Sequence, residues 1–282
     1  DSLCYVPTEE VVMDLIISLP PQMSRYLKDV FGPRIAPILG ISAEELYNMK
    51  LKLTVAELKT TLKHYMPNIK KLTMSLEEFI NQLDTMGVEK AVIFNLDEET
   101  PSGIAGLPND YYADIVKKYP EKFIGFAGID PLKKMNAVRE ISRCYDLGLR
   151  GIAVRPFMFG IPPHDTKMYP LYSKCVELDI PIWFHLSINY STNSMEVERP
   201  IYLDIVAQDF PVLKMIAGHG GWPKIQIFIS MLLLISLDIL ACQEPVGMHL
   251  FTMEIPSSRI KYYLVLHGSL WEQLLKSLLM VL

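Results

Sequence analysis

Residues 123–155 read FIGFAGIDPLKKMNAVREISRCYDLGLRGIAVR, and this stretch decides the fold. A short apolar run, FIGFAGI, is followed by a turn at Asp130-Pro131. A segment with helical periodicity then runs from about Met135 to Tyr145 and stops near Gly148, and a second apolar run, GIAVR, ends at Arg155. Strand, crossover helix and strand in about 30 residues is the size of a parallel βαβ unit. Both runs are apolar on alternate positions of either parity, as expected of strands covered by helices on their faces.

Working outward, the unit repeats. Apolar runs begin at residues 90 (KAVIFNL), 123, 151, 181 (PIWFH) and 212 (VLKMIA), at intervals of 28–33 residues. Ser75 with Glu78 forms a capping-box start for the helix that ends at Gly87. Asn109 stands where it can cap the helix that stops before Pro120, and a further helix from Tyr169 to Glu177 precedes the run at 181. Five evenly spaced units predict an α/β fold, a (β/α)₈ TIM barrel of one domain over residues 1–282. The rival is a doubly wound open sheet, but the Gly-rich phosphate turn that such a sheet would favour is absent from the sequence.

Two regions depart from the repeat. Residues 7–74 follow a short first strand at 3–6 and hold several helical pieces broken by Pro20, Pro21, Pro33, Pro37 and Pro67. An insertion of that length predicts a helical cap over the barrel mouth. After Pro223 the spacing shortens. Residues 234–240 and 259–266 are the candidates for strands seven and eight, and the C-terminal part reads as an incomplete barrel.

Composition sets the outer bounds. Half of the 282 residues are hydrophobic, enough for a sizeable core, and the net charge of −5 argues against a nucleic-acid surface. The most apolar stretch, 225–240, is interrupted by Gln226 and Asp238 and falls short of a membrane span. Cys4, Cys144, Cys175 and Cys242 are scattered, without metal-binding or disulfide spacing. Together with the lack of a visible secretory signal, they predict a cytoplasmic protein with reduced thiols.

Chemistry in such a barrel gathers at the C-terminal ends of the strands. There lie Asp97, Glu98 and Glu99, then Asp130, then Arg155 with the loop PFMFGIPPHD, then His185, Ser187 and Asn189, then His219 within GHGGWP. A lone histidine after an apolar run is ordinarily a hydrogen-bonded core residue. Two at matching positions of neighbouring units could form half of a zinc site, against two hydrogen-bonded core residues. Arg155 is a candidate carboxylate clamp, against a rim salt bridge to Asp130 or Glu99. Asp97 and Glu99 are candidate acid–base groups, against a solvated charge run. Phe157, Asn189 and Trp222 are candidate substrate contacts.

The segments SLEEFINQLDTMGVEKAVIFN (75–95), PEKFIGFAGIDP (120–131), GLRGIAVRPF (148–157), PIWFHLS (181–187) and RPIYLDIVAQDFPVLKMIAGHGGWP (199–223) resemble the amidohydrolase-related family. This is the amidohydrolase 2 group, which takes in aminocarboxymuconate-semialdehyde decarboxylase and other metal-dependent decarboxylases and hydrolases. The resemblance implies a barrel holding one divalent metal, zinc above all, with His185 as the strand-five ligand and His219 as the strand-six ligand or base. It also implies a homodimer and a small carboxylated, cyclic or aromatic substrate. Leu3 and Tyr5 stand where the family carries its paired strand-one ligands, and one alignment puts Leu270 where it carries an aspartate. The expectation is therefore a metal-dependent hydrolase or decarboxylase using His219, Arg155, Asp97 and Glu99. The alternatives are a metal-free, inactive barrel that binds a small molecule or serves as a structural partner, and a barrel that works without metal.

Overall fold

The computed structural model describes residues 3–23, 26–187, 189 and 191–219, together with the strands 239–242, 248–254 and 261–267. Among the described residues, nine strands form one sheet: β1 (Leu3–Cys4), β2 (Ala91–Phe94), β3 (Phe123–Gly128), β4 (Ile152–Val154), β5 (Ile182–His185), β6 (Met215–Gly218), β7 (Ile239–Cys242), β8 (Met248–Glu254) and β9 (Lys261–His267). Their order is β1-β2-β3-β4-β5-β6-β7-β9-β8. Every neighbouring pair is parallel except β8 with β9. The repeat read from the sequence is thus a parallel sheet with helical crossovers.

Boundaries shift in places. The run read as starting at 212 begins at Met215, because Pro211 and Val212 sit in a turn and Val212 is exposed. The strand expected at 259–266 occurs as β9, whereas β7 shares only residues 239–240 with the one expected at 234–240, whose other residues lie outside the described ones. β8 was not expected; its seven residues fold back antiparallel on β9 over the full register from Met248↔His267 to Glu254↔Lys261.

Side-chain alternation divides the strand residues into two sets. Ala91, Ile93, Phe123, Ala127, Ile152, Val154, Ile182, Phe184, Met215 and Ala217 join the large core with residues of the crossover helices, among them Phe79, Tyr112, Ile141 and Tyr172. The opposite parity, Val92, Phe94, Ile124, Phe126, Ala153, Trp183 and Ile216, makes a second cluster on the other face, with Tyr5 against it. This is the pattern of a parallel sheet covered on both sides.

The helices begin and end where local chemistry predicts. Ser75 caps the Leu76–Thr85 helix in a complete capping box with Glu78, and Gly87 follows at φ 72°. The Asn109–Lys118 helix is different. Its N-cap position is Pro108, and Asn109 instead bridges to the sheet: its Oδ1 accepts from Gly128 N at 2.9 Å and its Nδ2 donates to Gly128 O at 3.1 Å. The amide therefore fastens a helix to β3 rather than capping it.

Residues 7–74 are helical as expected. The main helices are Glu9–Ser18, Gly32–Leu39, Ala43–Lys52 and Val55–His64, and the third and fourth open on the capping boxes Ser42/Glu45 and Thr54/Glu57. They enclose a core of their own that includes Ile16, Leu27, Leu39, Leu46, Leu58, Leu62 and Ile69. Cys144 and Cys175 are buried free thiols. Among the described residues no helix is long and apolar enough to cross a membrane.

Candidate active site

The parity that faces Trp183 into the second cluster also places His185, two residues on, on that same face of β5. In register opposite His185 lies Gly218, the last residue of β6, and His219 follows it. A Cβ at Gly218 would stand 2.5 Å from the Trp183 ring and 2.7 Å from the Phe184 carbonyl oxygen, so only glycine fits between the strands there. His219 has φ 58°, the left-handed region, which turns the chain sharply as it leaves the sheet. The two imidazoles end with ring centroids 4.7 Å apart.

They line a cavity of about 570 Å³. Its walls on the strand side include Tyr5, Phe94, Trp183, Phe157 and Arg155, and on the insertion side Asp14, Met23, Tyr26, Phe31 and Arg34. Residues of the helical segment 7–74 thus line the cavity together with residues at the strand ends. Phe157 packs edge-on to His185 with centroids 5.1 Å apart.

A carboxylate that the sequence did not single out holds His185. Glu198, on the turn Met195–Glu198, places Oε1 2.5 Å from His185 Nδ1. Asn189 Nδ2 donates to Glu198 Oε2 at 2.6 Å, and Ser191 Oγ donates to Asn189 Oδ1 at 2.7 Å. Asn189, expected as a substrate contact, lines the cavity but spends its amide on holding Glu198. Burial drives the His185 pKa down to about 3, with the Arg155 charge adding to it, and pushes Glu198 up to about 8. One hydrogen bond therefore joins Glu198 Oε1 and His185 Nδ1, in surroundings that disfavour charge on either group. Burial also lowers His219 to about 3, with His185 adding to it.

The acidic run after β2 divides. Glu98 turns to the cavity and binds Arg155 in bidentate fashion, Nε to Oε1 at 2.5 Å and Nη2 to Oε2. The ion pair that was weighed for Arg155 therefore exists, with Glu98 rather than Asp130 or Glu99. Asp97 and Glu99, expected as acid–base groups, are not among the cavity-lining residues; both bind Lys133, at 2.8 Å each. Lys133 lies on the loop after β3, so this cluster ties one loop to the next. Asp130 accepts from Thr100 N and Leu132 N. With Arg155 committed to Glu98, the cavity-lining cation with no hydrogen bond or ion pair among the described residues is Arg34.

A divalent ion needs more than two imidazoles. Among the described residues no group of three or more His, Cys, Asp or Glu side chains converges in a way that could hold one. Leu3 pairs in register with Val92 of β2, and Tyr5 packs on Phe94 with centroids 4.7 Å apart. The described donor set therefore does not fit a complete metal site. Trp222, Asp238 and Leu270 lie outside the described residues.

The Amidohydrolase family model matches residues 80–234, more than half of the chain. This chain belongs to the amidohydrolase family. Among curated relatives, this amidohydrolase is 32% identical over 159 residues to 2-keto-4-carboxy-3-hexenedioate hydratase of Sphingobium sp. (strain NBRC 103272 / SYK-6), covering 47% of this chain and 46% of the relative. It is 28% identical over 78 residues to 2-amino-3-carboxymuconate-6-semialdehyde decarboxylase of Dictyostelium discoideum, covering 27% of this chain and 22% of the relative. The matches span less than half the length of either relative. The crystal structure of an uncharacterised TIM-barrel protein from Bordetella bronchiseptica superposes with a TM-score of 0.58 at 21% identity, covering 86% of this chain and 73% of that one. That likeness speaks for the fold of this amidohydrolase, and its chemistry rests on the residues above.

Proposed function

We propose that this amidohydrolase is a lyase for a small, conjugated polycarboxylate, acting by decarboxylation or by hydration within a (β/α)₈ barrel. The observation that carries the reading is the pair of imidazoles at the ends of β5 and β6, 4.7 Å apart in a cavity walled by aromatic rings. A planar unsaturated acid suits such walls, because flat π-systems gain from offset and edge contacts. The two curated relatives carry names of a hydratase and a decarboxylase of unsaturated carboxylic acids, which agrees with that choice.

The roles follow from the geometry. Arg34, on the Gly32–Leu39 helix, takes one substrate carboxylate by charge-assisted hydrogen bonds. His219 exchanges a proton with the substrate or with an attacking water. His185, oriented by Glu198, Asn189 and Ser191, supports it from β5. For the divalent ion implied by the resemblance, His185 and His219 are the donors this cavity offers among the described residues, too few to hold it.

The test is to incubate the purified protein with conjugated di- and tricarboxylates and 2-hydroxyaromatic acids. Loss of the conjugated absorbance, with or without release of carbon dioxide, is the expected result. Binding without turnover across the panel would overturn the lyase reading. It would favour a barrel that only binds such acids, the reading supported by the two-imidazole donor set. Arg34→Ala should weaken binding of these acids roughly ten- to hundredfold, the worth of one charge-assisted pair. It should leave the circular dichroism spectrum unchanged, because Arg34 is exposed on its helix. Titration calorimetry checks this; equal affinity would remove Arg34 from the site.

A further inference from the structure

Asp14 lines the same cavity from the Glu9–Ser18 helix of the insertion, and the reading above gives it no role. Its carboxyl lies against the loop that follows β2. Leu107 N–H donates to it, and a Cβ at Gly106 would stand 3.3 Å from Oδ2 and 3.5 Å from Oδ1. Glycine at 106 therefore lets loop and carboxyl close on one another. Among the described residues no cation reaches Asp14 within ion-pair distance.

The groups that face it do little to hold it ionised. Lys50, on the Ala43–Lys52 helix, donates its Nζ to Ile17 O, and burial brings its pKa down to about 8. Lys59, on the Val55–His64 helix, acts on it more than Lys50 does, and both act less than the hydrogen bonds from Leu107 and Ser18. Tyr112, on the Asn109–Lys118 helix, is a buried neutral phenol whose ionisation Asp14 itself opposes. Burial outweighs the Leu107 and Ser18 hydrogen bonds and both lysines, and it raises the Asp14 carboxyl above the usual range.

A polycarboxylate adds negative charge to this cavity, and Arg34 can answer one carboxylate. An ionised Asp14 would repel the rest. We propose that Asp14 is a second acid–base group of this cavity, supplied by the insertion: its protonated carboxyl donates a hydrogen bond to a carboxylate oxygen of the bound acid, so ligand and proton bind together. The inference rests on the cavity being a carboxylate site. An O–H···O⁻ bond of this kind is among the stronger hydrogen bonds available to a protein. Because the protonated form binds, affinity falls as pH rises through the Asp14 pKa, and binding at a pH above that value takes up a proton.

The experiment uses isophthalate as the probe, with titration calorimetry near pH 7 in buffers of different ionisation enthalpy. Binding to the unaltered protein should take up protons, and the uptake should grow as pH rises above the Asp14 pKa, to at most one. Asp14→Asn keeps a donor of the same shape, so it should bind within about threefold of the original affinity and lose the proton uptake. The ¹³C shift of the Asp14 carboxyl in the unaltered protein should titrate at higher pH once isophthalate is added. Binding with unchanged proton uptake in Asp14→Asn, or a carboxyl titration unmoved by isophthalate, overturns the role of Asp14 alone. No binding of isophthalate at any pH overturns the carboxylate-site reading, and this inference with it.

Discussion

Arg155→Met should lower the stability of the fold by about 3–5 kcal/mol, because it leaves the Glu98 carboxylate buried without its partner. The two side chains are only 15% and 9% exposed, so solvent screens little of the loss. Both guanidinium bonds go to one carboxylate, and the Arg155 guanidinium stacks over Phe157 at 5.5 Å, so packing is lost together with charge. The double exchange Arg155→Met with Glu98→Leu should recover most of that loss, since a well-packed apolar pair can replace a buried ion pair at little cost. Urea unfolding of the two single exchanges and the double exchange checks the cycle. A loss below about 1 kcal/mol for Arg155→Met would mean that the pair behaves like an exposed one, and that Arg155 is free to meet substrate after all.

That pair also shows what the sequence could and could not convey. The strands were legible because a parallel sheet covered on both faces needs apolar residues at both parities, and the runs at 90, 123, 151 and 181 supply them. His185 was legible for the same reason: parity from Trp183 fixes its face. Which of Asp97, Glu98 and Glu99 meets Arg155 was not legible. The strand ends at Phe94, so alternation no longer governs these residues, and Glu98 reaches the cavity through a local backbone turn at φ −129°, ψ 29°. Glu198 escaped for a related reason. It contacts His185 from 13 positions further along the chain, and nothing nearby in sequence distinguishes it from Glu196. Only its burial does, at 5% exposure against an exposed Glu196. Asp14 and Arg34 belong to helices with an apolar core of their own, and their place on the cavity follows from how that core seats on the strand ends. The β8–β9 hairpin was hidden because an antiparallel return leaves no βαβ spacing in the sequence.

His219→Asn should reduce turnover of the best substrate by about 10²–10⁴, the usual worth of a positioned acid–base group, while binding changes by no more than a few-fold. Asparagine is the informative replacement. His219 holds φ 58°, and asparagine tolerates the left-handed region better than other non-glycine residues, so the turn after β6 survives the exchange. Alanine would add backbone strain to the loss of the imidazole and blur the result. In the ligand-free cavity His219 is neutral at pH 7, its pKa held near 3 by burial and by His185, which is far from the value that proton transfer favours. A bound polycarboxylate brings negative charge beside the ring, and negative charge raises the pKa of an imidazole toward the working range. Substrate thus brings the ring closer to the range that proton transfer favours, and the neutral ring, still the main form at pH 7, is the one that takes the proton. Single-turnover rates across pH for the unaltered protein and for His219→Asn test this. The expected outcome is a rate limb on the acid side that disappears with the exchange. A variant that keeps more than about a tenth of the activity would place the proton transfer elsewhere in the cavity.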